Sequence, residues 1–322
     1  MARSINAKDA NASLEGGPRP RPKGVFAIDW GQLAPLRLRA RAVAEGVYAG
    51  MHRSARKGAG VEFGGQRPYV PGDDLRFFDR RALLRHDRLM VREFETETDR
   101  ALWLCVDATA SMSYRGARAP GAKLAYAALV AAALARVALS SGDPVGLAFI
   151  GGHGSRGLPA MAGREAFDRV VAALEATEAS GDASADGASV DRALAPVARR
   201  ARRGSVVVLL SDLLDLPETA LRSFTALATS GRALIALQVL DPSEANLDFE
   251  GTVRLRALEG SAVVEADADA VRAVYQERLA AIGAAWEREL SARGGRRLTT
   301  TTIDSPAQVV HRILAAAAEA RR

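Results

Sequence analysis

Four oxygen-bearing side chains define the chemistry this sequence can support. Asp107, Thr109 and Ser111 form the pattern Asp-x-Thr-x-Ser directly after the apolar run Ala101–Val106, and Asp212 follows Ser211 after a second run, Ser205–Leu210. A carboxylate at a strand end followed by two hydroxyls at alternate positions puts three oxygens on one loop. Hard divalent cations such as Mg²⁺ or Mn²⁺ take oxygen ligands of this kind. The same residue types also serve turns, where Asp, Ser and Thr bond neighbouring backbone. On spacing alone both readings stand.

Other chemistries find less support. The four histidines, His52, His86, His153 and His311, are scattered without ligand spacing. There is no Gly-x-Ser-x-Gly elbow and no Gly-x-x-x-x-Gly-Lys-Ser/Thr loop, so the chain carries neither an esterase-type nucleophile motif nor its own P-loop. Gly58 and Gly60 do not make a dinucleotide loop, because the third glycine is misplaced and no strand precedes them. Cys105 is the single cysteine. An internal disulfide and a cysteine-based zinc site are therefore excluded, and a thiol within an apolar run reads as a small buried hydrophobe.

The elements that must position the acids alternate along the chain. Leu33–Met51 reads as a helix, with Leu36, Val43 and Val47 near helical spacing. Leu89–Phe94 reads as an extended strand forming a hairpin with Ala101–Val106. Helices are expected over Lys123–Ser141, Arg164–Ala176, Val190–Arg203 (capped by Ser189), Glu218–Thr229, Asp269–Arg293 and Pro306–Ala320. Strands are expected over Val145–Ile150, Ser205–Leu210, Ala233–Leu240 and Arg297–Thr302, with Ala262–Glu265 as a short edge strand. This alternation predicts an α/β fold: an open, doubly wound, mostly parallel sheet covered on both faces. Ligands of such sheets sit outside the carboxyl ends of the strands. Asp107 and Asp212 both fall there.

At 322 residues the chain has room for one large domain or two ordinary ones, and a hydrophobic fraction of 48% is ample for a core. The formal charge is +6, and the pI is about 9.9. Residues 37–92 hold thirteen Lys/Arg against six Asp/Glu, so the basic character is local. We divide the chain into a disordered, Pro- and Arg-rich tail at 1–24, a basic N-terminal segment at 25–100 and a sheet domain at 101–322. No secretory signal is visible in the polar first residues, and the longest apolar stretch, Leu124–Leu139, is short for a span and interrupted by Arg136. The expectation is a soluble, cytoplasmic protein.

At this point the motifs carry a family resemblance. Asp-x-Thr-x-Ser after the first core strand and Ser-Asp after a later one resemble the von Willebrand factor A domain. Its metal-ion-dependent adhesion site uses that loop, a Thr from a second loop and an Asp from a third. Asp107, Thr109, Ser111 and Asp212 match. The second loop reads Asp186-Gly187-Ala188-Ser189, so Ala188 stands where the Thr belongs and Ser189 is the neighbouring hydroxyl.

The basic segment narrows the resemblance. Gly60-Val61-Glu62-Phe63, Arg67-Pro68-Tyr69, Pro71-Gly72-Asp73-Asp74-Leu75-Arg76, Asp79-Arg80-Arg81 and Val91-Arg92-Glu93-Phe94-Glu95 resemble the hallmark block of the bacterial domain-of-unknown-function family number fifty-eight. Further matches are Gly142-Asp143-Pro144-Val145-Gly146-Leu147, Ser211-Asp212-Leu213-Leu214-Asp215 and Leu240-Asp241-Pro242. Phe78-Asp79-Arg80 departs from the family's usual Ile-Asp-Trp.

The resemblance implies a von Willebrand factor A-like fold and a MoxR-type AAA+ ATPase as partner, acting with a client protein in protein maturation or regulation. It also implies a Mg²⁺ or Mn²⁺ site at Asp107, Thr109, Ser111, Ser189 and Asp212. The expected function is a non-enzymatic adaptor. Its docking residues would be Arg67, Asp73, Asp74, Arg76, Asp79 and Arg81, which could equally be spent on internal ion pairs. The alternatives are a metal-assisted hydrolase, against which no base is evident, and nucleic-acid binding through the basic segment, for which charge alone speaks.

Overall fold

The central strands are apolar on both sides, as strands covered on two faces require. The computed structural model describes residues 35–54, 66–68, 90–92, 100–183, 188–214, 216–256, 258 and 263–320. In chain order these contain α1 (Leu36–Ser54), β1 (Gln66–Pro68), β2 (Met90–Arg92), β3 (Leu102–Ala108), α2 (Lys123–Ser140), β4 (Val145–Gly151), β5 (Leu158–Met161), α3 (Ala166–Glu175), α4 (Ser189–Arg200) and β6 (Val206–Ser211). There follow α5 (Glu218–Ala226), β7 (Ala233–Leu240), α6 (Pro242–Asn246), β8 (Thr252–Arg256), β9 (Val263–Asp267), α7 (Ala268–Ser291), β10 (Arg296–Thr301) and α8 (Pro306–Glu319).

Six strands form the main sheet in the order β10-β7-β6-β3-β4-β5. All neighbours run parallel except β5, which closes one edge antiparallel to β4. The expected α/β class with a mostly parallel sheet is therefore what the chain forms. From β3 the chain moves outward to β4 and β5, then returns to the other side of β3 for β6, β7 and β10. The strand order thus reverses between β3 and β6. Loops leaving adjacent strands in opposite directions open a crevice at such a point.

Period-two alternation sends successive residues to opposite faces. Leu104, Val106, Val208, Leu210, Ile235 and Leu237 enter a core shared with α1, α2, α3 and α8. Trp103, Cys105, Val207, Leu209, Leu234 and Ala236 enter a second core with α4, α5 and α7. Cys105 is fully buried, as its place in an apolar run suggests. Trp103 lies opposite Gly146 in the register, and a methyl group on Gly146 would collide with the indole ring. Leu36, Ala40, Val43 and Val47 of α1 lie in the first core, so this helix of the N-terminal segment packs with the sheet domain. Among the described residues α2 is the one helix long and apolar enough to cross a membrane by length and composition. Most of it is buried inside the molecule.

Several local expectations are corrected. The described part of the expected strand 89–94, β2, does not form a hairpin with Ala101–Val106, because both edges of β3 are taken by β4 and β6. β2 pairs instead with β1. The edge strand near 262–265 belongs to a separate antiparallel hairpin, β8 with β9. Ser189 is not a cap: it is the first residue inside α4, whose N-cap is Ala188, and no side-chain bond caps that helix.

Candidate functional site: the polar rim at the strand reversal

β3 delivers Asp107 to the carboxyl edge of the sheet, and the chain then turns through a short 3₁₀ segment, Ala110–Ser113. Asp107 is 1% exposed. Its Oδ1 accepts from the Thr109 amide at 3.0 Å and the Thr109 hydroxyl at 2.8 Å, while Oδ2 accepts from the Ser211 hydroxyl at 2.5 Å. Thr109 Oγ1 lies 3.1 Å from Ser111 Oγ. A second loop is pinned beside this one: Ser180 donates its amide to the Ala108 carbonyl, and Ala110 donates to Gly181. Gly151, at φ 67°, comes close enough that a Cβ would crowd both Ser180 and Thr109.

β6 delivers Ser211 and Asp212 one strand away. Asp212 Oδ1 accepts from the Leu214 amide at 3.0 Å, and its backbone carbonyl accepts from Gln238 Nε2 at 3.0 Å. Asp212 Oδ2 receives the ammonium of Lys123 at 2.7 Å, and Glu244 Oε1 receives the same ammonium at 2.6 Å. Lys123 opens α2 and its side chain is 0% exposed. It also lies 5.8 Å from the centroid of the Tyr114 ring.

The loop after β7 completes the rim. Asp241 and Glu244 form a capping box on the five-residue helix α6: Asp241 Oδ1 accepts from the Ser243 amide, and Glu244 Oε2 accepts from the Asp241 amide. Asp241 Oδ2 accepts from the Gly116 amide at 2.7 Å, tying this loop to the one after β3.

The electrostatics divide the rim. Burial raises Asp107 from 3.8 to about 7, reinforced by Asp212, against the opposing bonds from Ser211 and Thr109. Among the described residues only neutral donors compensate its charge. Burial alone would depress Lys123, but Asp212 and Glu244 override it and raise the ammonium above its ordinary value. Burial also raises Glu244, despite the adjacent lysine. Burial pushes the Cys105 thiol up to about 12, which leaves it inert as a nucleophile at neutral pH.

The structure thus brings Asp107, Thr109, Ser111 and Asp212 together. Among the described residues no group of three or more His, Cys, Asp or Glu side chains is arranged to hold a metal ion. A cation here would rest on hydroxyls and one or two acids. The Asp107 half fits that requirement, with a buried carboxylate lacking a positive partner and two hydroxyl oxygens alongside. The Asp212 half fits it less well, since one carboxylate oxygen holds Lys123 and the other holds a backbone amide. Ser189 Oγ is buried and has no hydrogen-bond partner, so no hydrogen bond joins it to the other four. Asp73, Asp74, Arg76, Asp79 and Arg81 lie outside the described residues. Arg67 lies in β1, with only its backbone described.

Lys123, Glu244, Gln238 and Gly116 were missed by sequence reasoning. Signals existed for three of them. A lysine opening an apolar helix opposes the helix dipole. Asp241-Pro242-Ser243-Glu244 is a capping-box spelling, and Gln238 is the one polar residue of β7. Gly116 had no local signal.

A doubly wound sheet with a buried acid–hydroxyl rim at its strand reversal defines the class of protein. The family follows from comparison: residues 65–285 match the model described as protein of unknown function DUF58, and the chain belongs to that family. An uncharacterized protein of Mycobacterium tuberculosis is 31% identical over 275 residues, covering 84% of each chain, and one of Mycobacterium bovis matches equally. Among solved structures, a conserved hypothetical protein, BatB, of Bacteroides thetaiotaomicron overlaps at TM-score 0.41 and 14% identity, covering 68% of this chain and 98% of that one. An aerotolerance-related membrane protein of Bacteroides fragilis overlaps at TM-score 0.41, 18% identity and the same coverage. At these TM-scores the overlaps are loose.

Proposed function

We propose that the protein is a non-enzymatic, von Willebrand factor A-like adaptor that binds partner proteins through the rim at β3 and β6. It works in the cytoplasm with a MoxR-type AAA+ ATPase on a client protein, in maturation or regulation. One observation carries this reading: among the described residues, Asp107 is a fully buried acid balanced only by hydroxyls and an amide, next to a second acid. Such a site is electrostatically incomplete. A Mg²⁺ or Mn²⁺ ion held by Asp107, Thr109 and Ser111, with Ser189 as a further hydroxyl, would supply the missing charge. A carboxylate from the partner would fill out the ion's oxygen shell.

The hydrogen-bond partners of Asp107, Asp212 and Glu244 are hydroxyls, amides and one ammonium. None is a histidine, and the two hydroxyls that donate to Asp107, those of Thr109 and Ser211, belong to buried residues. That arrangement supports binding over hydrolysis.

Affinity capture from the native host, read by mass spectrometry with and without Mg²⁺, tests the proposal. The expected result is recovery of an AAA+ ATPase that is lost with chelator and with Asp107→Ala, after circular dichroism shows the variant folded. Capture indifferent to both removes the rim from the mechanism. Absence of any AAA+ protein removes the adaptor role.

A further inference from the structure

A lysine in the first turn of a helix meets the positive end of the dipole and unsatisfied backbone N–H groups. Lys123 sits at that position, and its side chain is wholly buried. Burying an ammonium is expensive unless partners meet it closely, and an apolar residue of similar volume often serves stability as well or better. The charge must therefore be used where it lies. It bridges Asp212 Oδ2 and Glu244 Oε1 at 2.7 and 2.6 Å, joining loops that leave β6 and β7 to the start of α2.

We propose that Lys123 is a resident cation of the rim, holding at Asp212 and Glu244 the place that a divalent ion would otherwise take. A compact ammonium presents a point charge with three donors, and two of them are seen in use on carboxylates. Being tethered to α2, it pays no association cost and competes with any free ion at high effective concentration. Two consequences follow. The β6 and β7 loops stay latched without metal, and a divalent ion is directed to the Asp107 half, which has no ammonium. Asp212 is then a counter-ion of the lysine rather than a metal ligand.

The inference rests on the reading of the rim as a cation site only for where a divalent ion goes. Its test needs no partner protein, so it can succeed where partner capture fails, and the reverse. The test compares wild type, Lys123→Met and Lys123→Met/Glu244→Gln by Mn²⁺ titration calorimetry and by thermal unfolding in Mn²⁺ or chelator. With the lysine gone, buried Asp212 and half-buried Glu244 are left as acids without a cation. Lys123→Met should melt well below wild type in chelator, recover in Mn²⁺, and bind Mn²⁺ about tenfold tighter or better than wild type, with stabilisation following from the linkage of binding to folding.

If Lys123→Met does not fold in chelator or Mn²⁺, the double variant decides. It leaves one acid at the vacated position and should still bind Mn²⁺ more tightly than wild type. Mn²⁺ affinity no greater than that of wild type in the folded variant overturns the proposal. So does a melting deficit that Mn²⁺ and Mg²⁺ leave untouched.

Discussion

The rim has two halves at equal depth, neutralised in different ways. Asp107 is 1% exposed and so is Asp212. Asp107 is surrounded by dipoles: the Thr109 amide, the Thr109 hydroxyl and the Ser211 hydroxyl. Asp212 has a full positive charge at 2.7 Å, shared with Glu244. Dipoles lower the cost of a buried charge without cancelling it, whereas an ammonium cancels it. The Asp107 half is therefore left wanting positive charge, from a proton or from a ligand, and the Asp212 half is complete in itself. Sequence alone made these two acids equivalent, each a strand-end carboxylate. Their environments separate a site that can receive a ligand from one that braces it.

The largest test of this difference is in pH. Burial and the neighbouring Asp212 raise Asp107 in the native state from its ordinary 3.8 to about 7. The native state therefore binds more protons than the unfolded chain between these limits. Its stabilising share is complete below the lower value and is lost as pH rises through the upper one. Glu244 is shifted in the same direction; Lys123 is raised beyond the window of interest. In chelator, wild type should lose stability from about pH 4 to pH 7, on the order of 4 kcal/mol at 1.36 kcal/mol per pKa unit. Asp107→Asn should flatten most of that slope and be the more stable protein at pH 8. Parallel slopes for the two proteins in denaturant titrations would mean that the halves are not electrostatically distinct.

A smaller effect is expected where the halves are tied together. The Gly116 amide reaches Asp241 Oδ2, and a methyl group on Gly116 would collide with Asp241 and Ser243. Both are held in the capping box that also presents Glu244 to Lys123. Gly116→Ala should destabilise by about 1–3 kcal/mol, the range for overpacking a filled site. The loss should appear equally at pH 5 and pH 8, since it acts through packing and not through Asp107. A pH-dependent loss in thermal melts would place Gly116 in the wrong half of the comparison.

What could be read in advance follows the range of the interactions. β3, β6 and β7 announce themselves as apolar runs, and Asp107 and Asp212 are visible because each run stops at an acid. That both reach one crevice follows from the alternation of strands and helices. The partner of β2 was misjudged because proximity in sequence favoured a hairpin, whereas β3 was already paired on both edges across long separations. β5 is four residues long and contains Pro159, too little pattern to mark an edge strand. Lys123 was placed in its helix correctly, but the helix alone says nothing of Asp212, 89 residues away, or Glu244, 121 away. The brace is made of long-range contacts and the receptive loop of local ones, so the sequence showed the second more fully than the first.

Ser189 gives the smallest effect and the finest distinction. Its hydroxyl is buried without a partner, and an unsatisfied buried hydroxyl costs about 1–3 kcal/mol relative to one that is bonded. Ser189→Ala removes that group while keeping a good helix former in the first turn of α4. In metal-free protein the variant should match wild type or exceed it by up to about 1 kcal/mol, because among the described residues nothing hydrogen-bonds to the oxygen. Ala188 beside it offers no hydroxyl to replace it. If the oxygen belongs to the receptive half, it has a use only when a cation is bound. The same substitution should then weaken Mn²⁺ binding while leaving the chelator-treated melt unchanged or improved. Opposite signs for stability and affinity identify Ser189 as a ligand kept at some cost to the fold. A Ser189→Ala protein with unaltered Mn²⁺ affinity would confine the receptive half to Asp107, Thr109 and Ser111.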